Sequence, residues 1–219
     1  IRFKNFIPEE AFPITTLGGA NYDSGDYSLA LNKALDEASY QSLLAEQQMR
    51  REQNSVVQLG IGLAAYVEIT APTGLHSEYG AVEVNEDGTV TARVGTSAHG
   101  QGHVTAFSML ISDLLGIEMD KITILQSDTD EISRGTGTMG SRSLQTAGSA
   151  VHVASETVLN KAKELASHLL EANPEDVVTG EGGLHVTGVP TNSLSWSELV
   201  TASNDDGKRP PGMEPGLSH

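Results

Sequence analysis

Two glycine-rich stretches of the chain contain the residue types best suited to binding an anion. The first, residues 95–103, reads GTSAHGQGH. Apolar residues alternate before it and recur every three or four positions after it, which predicts a strand, a glycine turn and a helix. Glycines let backbone N–H groups approach a ligand, and the first helical turn adds unpaired donors and the positive end of a dipole. The turn therefore predicts a phosphate or other anion site, with a tight structural turn as the alternative.

A second glycine-rich loop covers residues 133–143 and ends in the triplet SRS. An alanine-rich segment with helical spacing follows it to about residue 170. Long polar loops inside a compact domain are typically functional or disordered, so we expect the two loops to face one ligand from two sides. Arg142 has two open interpretations, a bidentate contact to an anion or an ion pair with Asp128 or Asp130.

The remaining reactive side chains do not form a recognisable catalytic or metal site. His99 and His103 have the spacing of a helical metal pair, but His99 precedes the turn and a third ligand is missing. Asp128, Asp130 and Glu131 lack the glycine and terminal glutamate of a calcium loop, which favours a solvated acidic turn. A Gly-x-Ser-x-Gly elbow is also absent. We therefore expect no catalytic residue and no metal ligand in the chain.

The amino-acid composition limits the binding partners and the cellular location that we expect for the protein. The 219 residues include 29 acidic and 13 basic side chains, a net charge of -16, which argues against a nucleic-acid or anionic-membrane surface. The lack of cysteine excludes disulfides, cysteine-bound metals and thiol catalysis within the chain. No apolar run approaches the roughly 20 residues of a membrane span, and no leader is recognisable, so we expect a cytoplasmic protein. Because the sequence begins at Ile1 and ends in a Pro/Gly-rich segment, we expect a fragment of a longer polypeptide.

The elements that would position the two loops predict a mixed fold, α/β or α+β, with a mixed sheet and long helices. One helix, or two with a bend, is expected after Asp26, followed by a strand over residues 56–69. Glu68 in that strand is expected to point to the far face of the sheet rather than to act as a buried base. An Asp-Gly turn at residues 87–88 joins the two strands of a hairpin that leads into the first loop. The helix after that loop is predicted to end at Gly116, before another short strand.

The rest of the chain predicts smaller elements and a division into three parts. Residues 174–186 indicate a second hairpin, and the SWSE of residues 195–198 has the form of a capping box before a short helix. The three parts are a connector and helical segment at residues 1–54, the main folded portion at 55–206, and a poorly ordered end at 207–219.

Further motifs occur in a set order along nearly the whole chain. They are KNFI at residues 4–7, FP at 12–13, YDSGDY at 22–27, GIG at 60–62 with Glu68, GQGH at 100–103, DTD at 128–130, GTMGSRS at 137–143, and Gly148 with Ala150 and Val151. Together they resemble the large subunit of the molybdenum hydroxylases, the family of xanthine dehydrogenase, aldehyde oxidase and carbon monoxide dehydrogenase. The QGH and GSRS strings most resemble the bacterial branch that is carbon monoxide dehydrogenase-like and aldehyde dehydrogenase-like.

This resemblance implies a place in the second of two molybdopterin-binding domains, with the main folded portion as the cofactor-binding part. It also implies roles for individual residues. Gln101, Gly102 and His103 would contact the dinucleotide of the cofactor near its pyrophosphate. Gly140 and Ser141 would contact the cofactor from the second loop. Both assignments agree with two glycine loops that each open a helix.

The same resemblance implies the cofactors and partners of the full-length protein. The cofactor would be molybdopterin cytosine dinucleotide carrying molybdenum. The reaction would insert a water-derived oxygen into a C–H bond of an aldehyde or N-heterocycle, or oxidise carbon monoxide. Electrons would leave through iron-sulfur clusters to FAD on partner subunits or domains. The implied partners are the rest of the large subunit, iron-sulfur and flavin subunits and a small-molecule substrate, without nucleic acid or a membrane span.

Three parts of the family pattern are missing from the sequence. A substrate-facing loop is expected before Ile1, a Gly-x-Gly-Glu segment with the catalytic glutamate after His219, and the first cofactor-binding domain elsewhere. With one of two walls, the chain alone is expected to be inactive and to retain no cofactor, since pockets bury most of a large ligand. The alternatives are a non-catalytic scaffold or split-subunit module of a larger complex, and a free nucleotide-binding domain.

Overall fold

The computed structural model describes residues 1–71 and 77–219, which form two compact units, Ile1–Glu68 and Ile69–His219. The boundary between the units lies further along the chain than the one predicted after residue 54. Two hydrogen bonds within the first unit join its last helix to the segment that follows. Gln47 Nε2 donates to Leu59 O, and Gln58 Nε2 donates to Arg50 O. This segment therefore belongs with the helices that precede it.

The first unit, which is described throughout, combines helices with a two-stranded antiparallel ribbon. Its elements are α1 (Arg2–Asn5), a 3-10 turn at Glu9–Ala11, β1 (Ile14–Thr15), β2 (Asn21–Tyr22), α2 (Tyr27–Glu37) and α3 (Tyr40–Glu52). Asp26 Oδ1 accepts the N–H of Leu29 at 2.8 Å and caps α2, as predicted. Ser39 has a left-handed conformation (φ 50°) between α2 and α3, so the alternative of two helices with a bend is confirmed.

The prediction of a strand over residues 56–69 is wrong. The segment is irregular and joins no sheet among the described residues. Several of its apolar side chains are exposed, such as Val56 and Tyr66, and Leu59, Ile61 and Leu63 are half-buried. Glu68 is exposed on this segment and lies on no sheet face. Strand propensity measures how well a side chain packs on a pleated surface, so without a neighbouring strand the β-branched composition does not decide the conformation.

The second unit has a mixed three-stranded sheet, an antiparallel three-stranded sheet and the longest helices. The elements are β3 (Gly80–Val84), β4 (Val90–Val94), α4 (His103–Leu115), β5 (Ile122–Leu125), α5 (Ser149–Leu170), β6 (Val177–Gly180), β7 (Gly183–Val186), β8 (Val189–Ser195) and α6 (Trp196–Ser203). Short 3-10 turns precede β5 and β6, and a π-turn at Leu144–Gly148 opens α5. Both predicted hairpins and the mixed fold class are confirmed, whereas β8 was not predicted.

The connection from β4 through α4 to β5 brings the first glycine loop to one end of the sheet. β3 and β4 are antiparallel, with Val82 opposite Ala92, and β4 and β5 are parallel, with Ala92 opposite Ile124. Parallel neighbours require a crossover, and α4 supplies it. The loop that follows β4 and the loop that follows β5 therefore start from the same end of the sheet, where both strands have their carboxyl ends.

The core of the second unit lies between this sheet and the helices α4 and α5. Its apolar side chains recur every second residue on β4 and every third or fourth residue on the helices, as the sequence predicts. They include Val90, Ala92 and Val94 of β4, Phe107, Ile111 and Leu115 of α4, and Val151, Ala154, Val158, Ala162 and Leu165 of α5. Because α5 packs against both α4 and β3, the start of α5 lies beside the start of α4.

The antiparallel sheet is joined to α4 at the end of that helix. Gly116 ends α4 in a left-handed conformation (φ 64°), and a Cβ there would stand 2.7 Å from the Gly180 carbonyl oxygen. Trp196 Nε1 donates to Leu115 O at 3.0 Å. The predicted capping box between Ser195 and Glu198 is present at the start of α6. Only glycine fits Gly116, because this position needs both the positive φ and the close approach.

The end of the chain is ordered, in contrast to the loose end predicted for residues 207–219. The N–H of Val82 donates to His219 O at 2.8 Å, and the N–H of Val84 donates to Leu217 O at 2.9 Å. The Leu217 side chain is 1% exposed in the core. The Pro/Gly-rich composition predicted a loop correctly. The last residues are nevertheless ordered, because they form hydrogen bonds with the free edge of β3.

Docking of this end can be tested with Leu217→Ala. We expect the free energy of unfolding to fall by about 2–4 kcal/mol, since a fully buried leucine loses its packing contacts. Urea denaturation followed by circular dichroism measures the change. The control is Val153→Ala on the exposed side of α5, with an expected change within about 0.5 kcal/mol. Equal unfolding curves for Leu217→Ala and the wild type would contradict the docking.

Candidate functional site

The first glycine loop connects β4 to α4 and presents its backbone to open space. Gly100 and Gly102 have positive φ angles of 98° and 80°, and a Cβ at either residue would meet no atom within 4 Å. Gly102 is the residue before α4, so the N–H groups of the first helical turn follow it directly. Gln101 is exposed beside them. The predicted turn is therefore present, with room for a ligand against the helix N-terminus.

The second glycine loop is held against the first by Thr138. Its Oγ1 accepts the N–H of Ser97 at 3.1 Å and donates to Ser97 O at 2.6 Å. Ser143 Oγ adds a third contact to Thr138 Oγ1 at 3.2 Å. The two backbones also touch, because a Cβ at Gly135 would stand 2.3 Å from Gly95 O. The structure thus brings together the two loops that the sequence predicted to face one ligand.

A groove of about 450 Å³ lies between the two loops. Four of the five predicted site residues line it, namely Gln101, His103, Gly140 and Ser141. The fifth, Gly102, lies in the chain between two of them and is exposed. Gly140 has a positive φ of 55°, so the second loop also turns at the groove through a residue that accepts this conformation without strain.

His103 is the buried polar group of the groove. The residue is 5% exposed, and its Nε2 is buried without a hydrogen-bond partner among the described residues. Its ring packs against Phe107 at a centroid distance of 5.1 Å. Burial lowers the pKa of His103, a contact with Gln126 opposes that effect, and the neighbouring His99 lowers it further. Because buried polar atoms normally have partners, this nitrogen fits an acceptor oxygen of a ligand.

Both interpretations of Arg142 are wrong. The side chain is fully buried, and its Nη1 lies 2.6 Å from Glu78 Oε2. Further donations go to Gly137 O and Ser77 O, each at 2.7 Å. The guanidinium is therefore the counter-ion of Glu78 and holds the second loop in place, so it does not serve as an anion ligand or pair with Asp128 or Asp130.

Glu78 is the residue of this region that sequence analysis missed. It accepts the N–H groups of Tyr79 at 2.9 Å and Thr136 at 3.1 Å, in addition to the guanidinium of Arg142. Burial raises the pKa of Glu78, but these hydrogen bonds outweigh it, so the pKa lies below its ordinary value. Glu78 stands alone between a serine and a tyrosine, so no sequence motif marks it as the partner of Arg142.

The remaining reactive side chains do not cluster. His99 is exposed at the rim of the groove. Glu131 pairs with Arg93 at 2.9 Å, and Asp128 accepts the N–H of Asp130, as in a solvated acidic turn. In residues 1–71 and 77–219, no three histidine or acidic side chains are placed to hold a metal ion. No helix in the described part of the chain is long and apolar enough to cross a membrane.

The geometry thus combines a mixed α/β domain, two opposed glycine loops and a buried imidazole nitrogen that has no hydrogen-bond partner among the described residues. Residues 33–218 match the molybdopterin cofactor-binding domain. The chain belongs to this family.

Several known proteins are similar to this chain over almost its whole length. The carbon monoxide dehydrogenase large chain of Afipia carboxidovorans is 36% identical over 99% of this chain and 28% of its own length. The nicotine 6-hydroxylase large subunit of Paenarthrobacter nicotinovorans is 30% identical over 99% of this chain and 28% of its own. Quinoline 2-oxidoreductase from Pseudomonas putida 86 has a similar structure, with a TM-score of 0.83, 28% identity, and coverage of 99% and 29% of the two chains. The chain thus spans little more than a quarter of the length of these relatives.

The buried ion pair predicts a large effect of Glu78→Gln. This change removes the carboxylate that pairs with the buried Arg142, so we expect the free energy of unfolding at neutral pH to fall by about 3 kcal/mol. The folded-state pKa of Glu78 is depressed, so its stabilisation is present above the ordinary carboxyl range and lost as the pH falls through the folded value. The difference between wild type and variant should therefore shrink on acidification in urea titrations.

The matched control is Glu83→Gln, which removes the exposed carboxylate that lies 3.0 Å from Arg93 in the same sheet. Exposed pairs contribute at most about 1 kcal/mol, so this variant should unfold close to the wild type. Equal losses for the two variants, or a Glu78→Gln loss that does not change with pH, would contradict the assignment.

Proposed function

We propose that the chain forms one wall of a molybdopterin dinucleotide site in the large subunit of a cytoplasmic molybdenum-dependent hydroxylase or dehydrogenase. The observation that carries this proposal is the unpaired Nε2 of buried His103 in the groove between the two glycine loops. Family membership supports it, because the matching domain is described as a molybdopterin cofactor-binding domain.

The residues of this chain hold the cofactor, and none of them is assigned a catalytic role. His103, Gln101 and the backbone at Gly102 are proposed to contact the dinucleotide near its pyrophosphate. Gly140 and Ser141 are proposed to contact it from the opposite side of the groove. Backbone N–H groups at a helix N-terminus stabilise phosphate through hydrogen bonds and the helix dipole. Such donors suit this groove, since its described lining residues include no lysine or arginine.

The cofactor is proposed to be the cytosine dinucleotide form. When bound, molybdenum supplies the oxidation of the substrate, and the electrons pass to iron-sulfur clusters and FAD on partner subunits or domains. The substrate class is an aldehyde, an N-heterocycle or carbon monoxide. Relatives with 28–36% identity to this chain carry names that refer to carbon monoxide, nicotine and quinoline, so residues outside this domain are proposed to select among them.

The opposite wall of the site is proposed to come from the rest of the large subunit. Apolar side chains near the two loops support this idea. Val104, Met139 and Leu144 are between 47% and 61% exposed, although they belong to the loops and helix starts around the groove. Exposed apolar side chains grouped in this way are typical of surfaces that another domain covers.

The proposal is tested by His103→Ala in the full-length protein. Loss of a hydrogen bond to a charged oxygen should lower the molybdenum and released cytidine nucleotide per subunit about tenfold when free cofactor is removed. Elemental analysis and nucleotide chromatography give both values. The control is His152→Ala, an exposed histidine of α5, which should keep wild-type content. Full-length wild type without molybdenum and pterin, or His103→Ala with normal content, would contradict the proposal.

A further inference from the structure

Gln126 lies behind the groove, where the chain leaves β5, and contacts both the first loop and α4. Its Nε2 is 3.1 Å from Thr96 Oγ1 and 3.2 Å from His103 Nδ1. Thr96 is fully buried, so this contact lies inside the fold and not on the rim. Gln126 itself does not line the groove. Any effect of Gln126 on a ligand is therefore indirect and passes through His103 or through Thr96 of the first loop.

The amide of Gln126 determines which imidazole nitrogen carries the proton. An amide nitrogen donates hydrogen bonds and does not accept them, so His103 Nδ1 is the acceptor. In a neutral imidazole with an accepting Nδ1, the proton is on Nε2. Burial, which lowers the pKa of His103, keeps the ring in this neutral form near pH 7. Nε2, which is buried without a hydrogen-bond partner among the described residues, is then a donor.

We infer that Gln126 is a positioning residue that holds His103 as the Nε2–H tautomer, so that the imidazole donates to an acceptor oxygen of the bound dinucleotide. This inference rests on the proposed function. The opposite tautomer would turn a lone pair towards an anionic oxygen, which repels it. The orientation of one side-chain amide therefore decides whether the buried nitrogen attracts or repels the ligand.

Few of the described residues around His103 can titrate. Among the described residues that line the groove, His99 from the first loop is the other titratable side chain. From α4 the ring meets Phe107, and from the second loop the neighbouring groove residues are uncharged, such as Thr138 and Ser143. Arg142 of that loop is neutralised by Glu78. A pH effect on ligand retention can therefore be assigned to His103 or His99.

The test is Gln126→Glu in the full-length holoenzyme, with molybdenum and cytidine nucleotide per subunit measured after dialysis at a series of pH values. A carboxylate only accepts, so it forces the Nδ1–H tautomer while the ring is neutral. It also raises the pKa of His103, and the protonated ring donates from both nitrogens. We expect near wild-type content at about pH 6 and a loss of about tenfold or more at about pH 9, with little pH dependence in the wild type.

Two further variants identify the group responsible. Thr123→Glu places the same charge at an exposed position of β5 and should retain its cofactor at both pH values. In the double variant Gln126→Glu with His103→Gln, the recovery at acid pH should disappear because the titrating ring is absent. Recovery that persists in the double variant would show that the His103 ring is not the group responsible and would overturn the inference.

The other outcomes are equally decisive. Gln126→Glu with normal content at every pH would show the reverse tautomer or no imidazole contact, and uniform loss at every pH would show a purely structural role. Either result overturns the inference while leaving the proposed function intact, provided that the wild type carries the cofactor. A wild type that lacks molybdenum and pterin overturns the proposed function instead, so the two failures are distinguishable.

Discussion

The buried ion pair between Glu78 and Arg142 is the interaction on which the groove depends. It joins the residues before β3 to the second glycine loop, although the two side chains are 64 positions apart. A buried pair is favourable only when its remaining donors and acceptors are satisfied. Here backbone carbonyls accept from Arg142 and backbone N–H groups donate to Glu78. The loop is thereby anchored, and Thr138 can bridge it to the first loop.

The groove is proposed to recognise an anion with neutral donors. The chain has a net charge of -16, so its overall field does not attract an anionic ligand. The buried arginine beside the groove is neutralised by its partner, which leaves backbone N–H groups, the α4 dipole and the imidazole of His103. Such donors act over short distances and in defined directions. Binding therefore depends on the geometry of the two loops more than on the charge of the domain.

Local features of the site were predictable. The glycine turn, α4, the first hairpin and α5 follow from backbone preferences and hydrophobic periodicity within a few residues. The five proposed cofactor residues were chosen from the GQGH and GSRS strings, and the structure places four of them in the lining of one groove, with Gly102 between two of those four in the chain. The prediction of a strand over residues 56–69 was wrong. β-branched residues form a strand when a neighbouring strand is available to pair with, and the described residues provide no such neighbour.

By itself the sequence determined the family, most of the helices and strands, and the two glycine loops that are proposed to bind the ligand, because each depends on adjacent residues. The tertiary structure decided the partner of Arg142, the contact between Gln126 and His103, and the docking of Leu217 against the core. These three contacts join residues far apart in the chain. Sheet order and helix packing bring them together, and neither is encoded in a short motif.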